Sequence, residues 1–321
     1  MVVRKVVEMA LGISMVMLSA DEPIRGADVQ RNLARNWPDL PAATEVDEGE
    51  DSLSLQLGES SVIMAKMPAP IPWSQLEGPC ETSILWPDAK SEVEKHAVHW
   101  IVTANGELDP IELATLLTQA TAATMGSCEN AIGVYWGNAT LVVPKEMFCE
   151  IARDVLPEEP PLLVWVNFRI GPDSEKSTAG FTAGFTAGMT ALGHMEFETQ
   201  RSPEPPSELR DRLMGLAGYV IENGPVIQDG DTIGEDANER IRVVYSKSEF
   251  GHEGNVMRLA YEAALSQKLW KSMRPAWHSL VDEEQNRPIL IALQATGTSA
   301  SASIRRSWLT STIAPSSSRQ I

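Results

Sequence analysis

Cysteine is scarce in this sequence. There are three, Cys80, Cys128 and Cys149, and no CxxC pair among them. An odd, scattered set argues against a disulfide framework and against a structural zinc site. Reduced thiols in a cytoplasmic chain are the reading that follows. Basic residues are also few, with 26 Lys and Arg against 44 Asp and Glu, a net charge of −18. A surface of that sign repels phosphate backbones, so no nucleic-acid partner is expected, and a basic protein is the better expectation. Long apolar runs are missing: no segment reaches the ~18 strongly apolar residues that a bilayer span needs, so no membrane partner is expected. Short catalytic signatures are missing too. There is no P-loop, no glycine fingerprint after a strand, no HExxH and no GxSxG elbow. No cofactor is expected on these grounds.

What is present is ordinary globular composition, with 43% hydrophobic and 22% charged residues. The first residues, MVVRKVVEMAL, have the outline of a secretion signal, with Arg4 and Lys5 before an apolar run. Glu8 interrupts that run, and GISMVML from Gly12 reads as a first buried strand. In the middle of the chain HAVHWIVTANG, from His96 to Gly106, is rich in β-branched residues and reads as a strand. Asp109, Pro110 and Glu112 then spell a helix start with capping-box spacing. Leu113, Leu116, Leu117 and Ala120 form its apolar stripe, and Gly126 stops it. AIGVYW and ATLVV flank Gly137-Asn138 as a hairpin; a second helix opens at Pro144; LLVWVNFRI reads as a further strand.

The order β-α-β-β-α-β is the ferredoxin-like pattern, and the first hundred residues repeat it more faintly. GISMVML, a helix through Val29, Leu33 and Trp37, and the hairpin SLSLQL/SVIMAKM precede the extended MPAPIPW and a short helix near Asp88. The expectation is therefore an α+β fold. It has one extended, mostly antiparallel sheet made of two ferredoxin-like halves, roughly residues 12–103 and 96–200, with helices on one face. Residues 1–250 would form one domain. A helix follows near Gly254 to Ser272, then a poorly ordered Ser/Thr-rich tail within 251–321.

Four tryptophans, Trp86, Trp100, Trp136 and Trp165, read first as core. Trp100, Tyr135 and Trp136 lie at or near strand ends and are the candidates for a binding groove. His96 and His99 are three apart on a strand, which sends them to opposite faces, one inward and one to solvent. QDGDTIGED has Asp229, Asp231 and Gly234 where a calcium loop would want them. Ile233 at the fifth position and Arg240 at the twelfth break that pattern, and Asx turns explain the acids. STAGFTAGFTAGMTALGHMEFE, from Ser177 to Glu198, repeats every four residues. Three glycines make a long helix costly, so it reads as a half-buried strand with Ala179, Phe181, Ala183, Phe185, Ala187 and Met189 on its apolar face and Thr178, Gly180, Thr182, Gly184 and Thr186 on the other. After a break at Gly193, His194, Glu196 and Glu198 would share one strand face. They could hold a divalent metal or act as acid and base, which is the hydrolase alternative; the plain alternative is a solvated face.

MPAPIPW, HAVHWIVT, GVYWGNATLVVP, TAGMTALGHMEFE and VIQDGDTIG, in that order, resemble the bacterial family known as domain of unknown function 4261 (DUF4261), over roughly Gly12 to Ser246. The resemblance implies an α+β protein and a short helical turn from Ala187 to Leu192 capped by Gly193. It implies no activity or catalytic residue. The functional expectation is a non-enzymatic binding protein, of the immunity type, that meets a basic partner through a groove of tryptophans and acids.

Overall fold

Seven residues, Gly12–Leu18, form the strand β1, and they are apolar on both faces, with Val16, Met17 and Leu18 fully buried. A strand of that kind belongs in the middle of a sheet covered on both sides. In the computed structural model, which describes residues 12–173, 180–234 and 240–261, β1 lies there. Its neighbours come later in the chain: β5 (Val98–Asn105) on one side and β6 (Ala131–Trp136) on the other. With β2 (Ala43–Glu48), β3 (Ser52–Leu57), β4 (Ser60–Met67) and β7 (Leu141–Pro144) the sheet has the order β2-β3-β4-β5-β1-β6-β7, antiparallel throughout.

Helices cover both faces of this sheet. Gly26–Asn36 (α1) contacts β2 and β3, and the long helix Pro110–Gly126 contacts β1 and β5. On that side Ser14 Oγ lies 2.6 Å from Thr121 Oγ1. On the other side Met15 and Met17 pack in a cluster with Leu76 and Cys80 of α2 (Trp73–Thr82) and with Ala89 and Val93 of α3 (Ala89–Val93). The long helix is α4. The expectation of helices on one face is thus corrected. The cause is β1 itself, whose alternate residues are apolar on both sides.

Nor are the ferredoxin-like halves confirmed. β4 and β5 are joined through α2 and α3 yet pair directly and antiparallel, whereas a split βαβ unit keeps the strands around a helix parallel and apart. The sheets are two separate ones, not one extended sheet. The second has the order β11-β12-β13-β10-β9-β8 and is made of β8 (Asn167–Pro172), β9 (Thr182–Ala187), β10 (Phe197–Ser202), β11 (Thr232–Ile233), β12 (Ile241–Lys247) and β13 (Asn255–Tyr261). β10 and β13 are parallel; β9–β10, β11–β12 and β12–β13 are antiparallel.

Between β7 and β8 the chain forms α5 (Lys145–Glu150), a wide turn over Ile151–Val155 and α6 (Leu162–Trp165). LLVW is therefore a helical turn, and the strand begins only at Asn167. The last helix, α7 (Pro206–Asn223), buries Leu209, Leu213, Ala217 and Val220 on one stripe and ends at Gly224 with φ of 78°. Asn255–Tyr261, expected as the start of a helix, is instead β13, held in the sheet on both sides. The rest of that expected helix and the Ser/Thr-rich tail lie outside the described residues.

The described residues divide into two compact units. Residues up to Arg169, together with Thr186–Met195, form the first; Ile170–Phe185 and the residues from Glu196 on form the second.

Candidate functional site

Within the first unit, α4 starts as its sequence dictates. The Asp109 carboxylate accepts from the N–H groups of Ile111 and Glu112, both at 2.9 Å, and the Glu112 carboxylate accepts from Asp109 N–H at 3.0 Å. This closed cap fixes Pro110 at the first turn. Facing it, residues Thr190–Leu192 make a single 3-10 turn that ends at Gly193, whose φ is 82°. A Cβ at Gly193 would stand 3.3 Å from Pro110 Cγ. At Gly188 a Cβ would fall 2.3 Å from the Trp165 carbonyl oxygen, so only glycine lets the chain approach there. The glycine-capped turn is the one that the family resemblance implies, but it spans Thr190–Leu192 only, and Ala187, expected within it, ends β9.

These elements enclose a cleft of about 130 Å³. Pro110, Leu113, Ala114 and Leu117 of α4 form one wall, and Gly188, Ala191 and Leu192 another. Trp136, Asn138, Trp165 and Gly12 complete it. Trp165 is fixed by its indole N–H, which donates to Thr118 Oγ1 at 2.8 Å, and Trp136 by the Phe148 ring at 5.8 Å. Cavities near this size, ~150 Å³, hold a benzene-sized group.

The three groove candidates separate. Trp136 lines the cleft. Tyr135, its neighbour on β6, points to the other face of the sheet and packs against the Met17 cluster. Trp100 pairs with Val16 and is 1% exposed, so it is a core residue; its indole N–H has no hydrogen-bond partner among the described residues. Pro110, Leu113, Trp165 and Gly188 are the cleft residues that sequence reading passes over, because each alone looks like core or turn.

His194 lies before β10 and belongs to the first unit, while Glu196 and Glu198 belong to the second. His194 is half-buried, which pushes its imidazole below the ordinary histidine range. Glu196 and Glu198 are 4% and 1% exposed, so the solvated strand face is corrected. Glu198 accepts from the Ser248 hydroxyl and, at 3.0 Å, from Glu249 N–H. Ser248 Oγ in turn accepts from the N–H groups of Phe250 and His252, at 3.0 and 2.9 Å. The carboxylate thus anchors the loop between β12 and β13, and Phe185 stacks on Phe250 at 4.8 Å. This explains a further correction in β9: Thr182, Gly184 and Thr186 are the buried face, and Phe185 is half-buried against that loop. Thr178 and Ala179 lie outside the described residues.

Among the described residues no three His, Cys, Asp or Glu side chains gather where they could hold one metal ion. His96 and His99 are both buried, against the expectation that one faces solvent. His96 precedes β5 rather than lying on it, so strand alternation does not govern it. Asp231 accepts from Gln228 N–H at 2.7 Å within the turn, whereas Asp229 accepts from Tyr245 N–H at 2.8 Å and so ties the segment to β12 instead of making an Asx turn. Burial pushes the thiols of Cys80 and Cys149 up to about 11 and that of Cys128 to about 12. No described helix is long and apolar enough to cross a membrane.

Fold and site together define an α+β protein with two mostly antiparallel sheets and an apolar cleft beside an acidic helix cap. Residues 185–260 match the family described as a domain of unknown function, DUF4261. The match includes the glycine-capped turn of the cleft and the loop held by Glu198. No curated protein and no solved structure matches the chain.

Proposed function

We propose that this is a non-enzymatic binding protein whose cleft takes one apolar side chain of a basic protein partner. The observation that carries the reading is the joining of the Trp136–Trp165 cleft to the capping box of α4. Pro110 and Leu113 line the cleft, and Asp109 and Glu112 alternate with them in sequence, both exposed. An apolar anchor flanked by Lys or Arg would bury its side chain and leave its charges facing those carboxylates. The net charge of −18 favours fast encounter with such a partner. Neutralising a basic protein, as immunity-type proteins do, fits this chemistry. Three free thiols support a reducing, cytoplasmic setting.

The test uses a fluorescein-labelled peptide with a central Leu between lysines, followed by anisotropy. Its control has glutamates for the lysines. The basic peptide is expected to bind and the acidic one not. Ala114→Trp, which fills the cleft, and the pair Asp109→Asn with Glu112→Gln are each expected to weaken binding at least tenfold. Equal binding of both peptides, or full binding by Ala114→Trp, would overturn the reading.

A further inference from the structure

The segment from Pro68 to Pro72 crosses from β4 to α2 with Pro at every second position. Proline has no N–H, so this strap cannot be knitted into a backbone ladder. Two imidazoles hold it instead. Ile71 N–H donates to His96 Nε2 at 2.8 Å, and His99 Nδ1 meets the Ala69 carbonyl oxygen at 2.8 Å. His96 Nδ1 meets the carbonyl oxygen of Val93. A carbonyl only accepts, so Nδ1 carries the proton in both rings, and Nε2 of His96 must be bare to accept from Ile71. His96 is therefore bound as a neutral imidazole, while His99 donates from Nδ1 to Ala69. The bond from Ile71 pins a side chain that is 2% exposed and sits among Met17, Leu76, Trp86 and Val142.

Among the described residues both rings bond backbone groups and no carboxylate is hydrogen-bonded to either. α2 carries Glu77 and Glu81, α3 carries Lys90 and Glu92, and Glu94 and Lys95 precede His96. Glu92 accepts from the Trp86 indole at 3.2 Å. Lys66 of β4 is engaged by Asp51 and Asp21 at 2.8 and 3.3 Å. Cys80 stays a neutral thiol, and β1 sets Met17, without charge, opposite His99. The charge that acts on His99 is His96 itself, so a proton on one ring opposes a proton on the other.

We propose that His96 is a proton-operated latch on the Pro68–Pro72 strap, with His99 as a second tether that holds Ala69 in either charge state. A proton on His96 sets two N–H groups against each other at Ile71 and breaks the bond. The strap then loosens, Ile71 leaves its socket, and the apolar cluster beneath is uncovered. The device rests on the strap alone and does not depend on what the Trp136–Trp165 cleft binds.

The substitutions His96→Gln and His99→Asn put an amide near each ring atom that makes these bonds and remove the titration. Hydrogen exchange read by mass spectrometry on peptides spanning residues 67–76, at about pH 7 and about pH 5, compares the wild type with the double variant. Comparison at equal pH cancels the intrinsic pH dependence of exchange. The wild type is expected to lose at least about tenfold of its protection at Ile71 on acidification, with α4 unchanged, and the double variant to keep it. Equal loss in both proteins, or no loss in the wild type, overturns the latch. Should the double variant lose protection in α4 at neutral pH, His96→Gln alone is compared, and it must retain more protection than the wild type at the lower pH.

Discussion

Glu204 and Arg212 meet inside the second unit, with the carboxylate accepting from the guanidinium at 2.6 and 2.7 Å and both side chains at or below 10% exposure. The other Glu204 oxygen accepts from the Tyr261 hydroxyl at 3.0 Å. Removing one partner leaves an unpaired buried charge, so Arg212→Met is expected to destabilise this unit by about 3–5 kcal/mol. Replacing both residues by apolar ones of similar size is expected to cost much less. Urea unfolding of the single and double variants checks this: equal losses would show that the charge pair is not what matters.

The closed cap of α4 gives a smaller effect. Asp109→Ala frees two N–H groups and is expected to cost about 1 kcal/mol, read as a lower urea midpoint with an unchanged slope. Asp109→Ser, which restores a cap, should recover most of it.

Trp136 offers a sharper contrast. It is 2% exposed and packed on Phe148, so Trp136→Ala is expected to cost about 3–5 kcal/mol whatever the cleft binds. Ala114→Trp changes the cleft from its rim and is expected to leave thermal stability close to that of the wild type. Similar melting losses in the two variants would show that the cleft wall cannot be separated from the core.

Acid is expected to weaken the first unit. Burial lowers His99 and His194 below their ordinary value of 6.5, so the unfolded chain binds protons that the folded one refuses. Stability is then complete above about pH 6.5 and falls as pH drops through that value. Chemical unfolding at several pH values should show that slope, and His99→Asn should flatten it. A slope of the opposite sign would contradict both burial effects.

Local patterns made much of this fold legible. β1, α4 with its capping box, the two hairpins and α7 with its glycine stop all follow from periodicity and caps within a few residues. β2 does not, because ATEVDE is an exposed edge strand with no buried face to alternate. α2 hides behind Pro79 inside the helix. β13 is misread because Met257, Ala260 and Ala264 fall at helical spacing, while the partners that make it a strand, β10 and β12, cannot be inferred from that spacing. The cleft draws on five separate stretches around residues 12, 110–117, 136–138, 165 and 188–192. None of them signals a site alone. His96 and His99 are visible as a pair, but their target is a proline-rich strap whose path only the folded chain fixes.

The central place of β1 sets a timetable for synthesis. This strand leaves the ribosome before its two partners, β5 and β6, which lie 80 and 113 residues after Leu18 at their first residues, Val98 and Ala131. At ~5–20 residues per second, an apolar strand waits roughly 6–23 s for its second edge to be covered. During that interval Met15, Val16, Met17 and Leu18 present a sticky template to any other nascent strand. The yield of native protein in the cell is therefore expected to depend on chaperone capacity and on the speed of translation through residue 136.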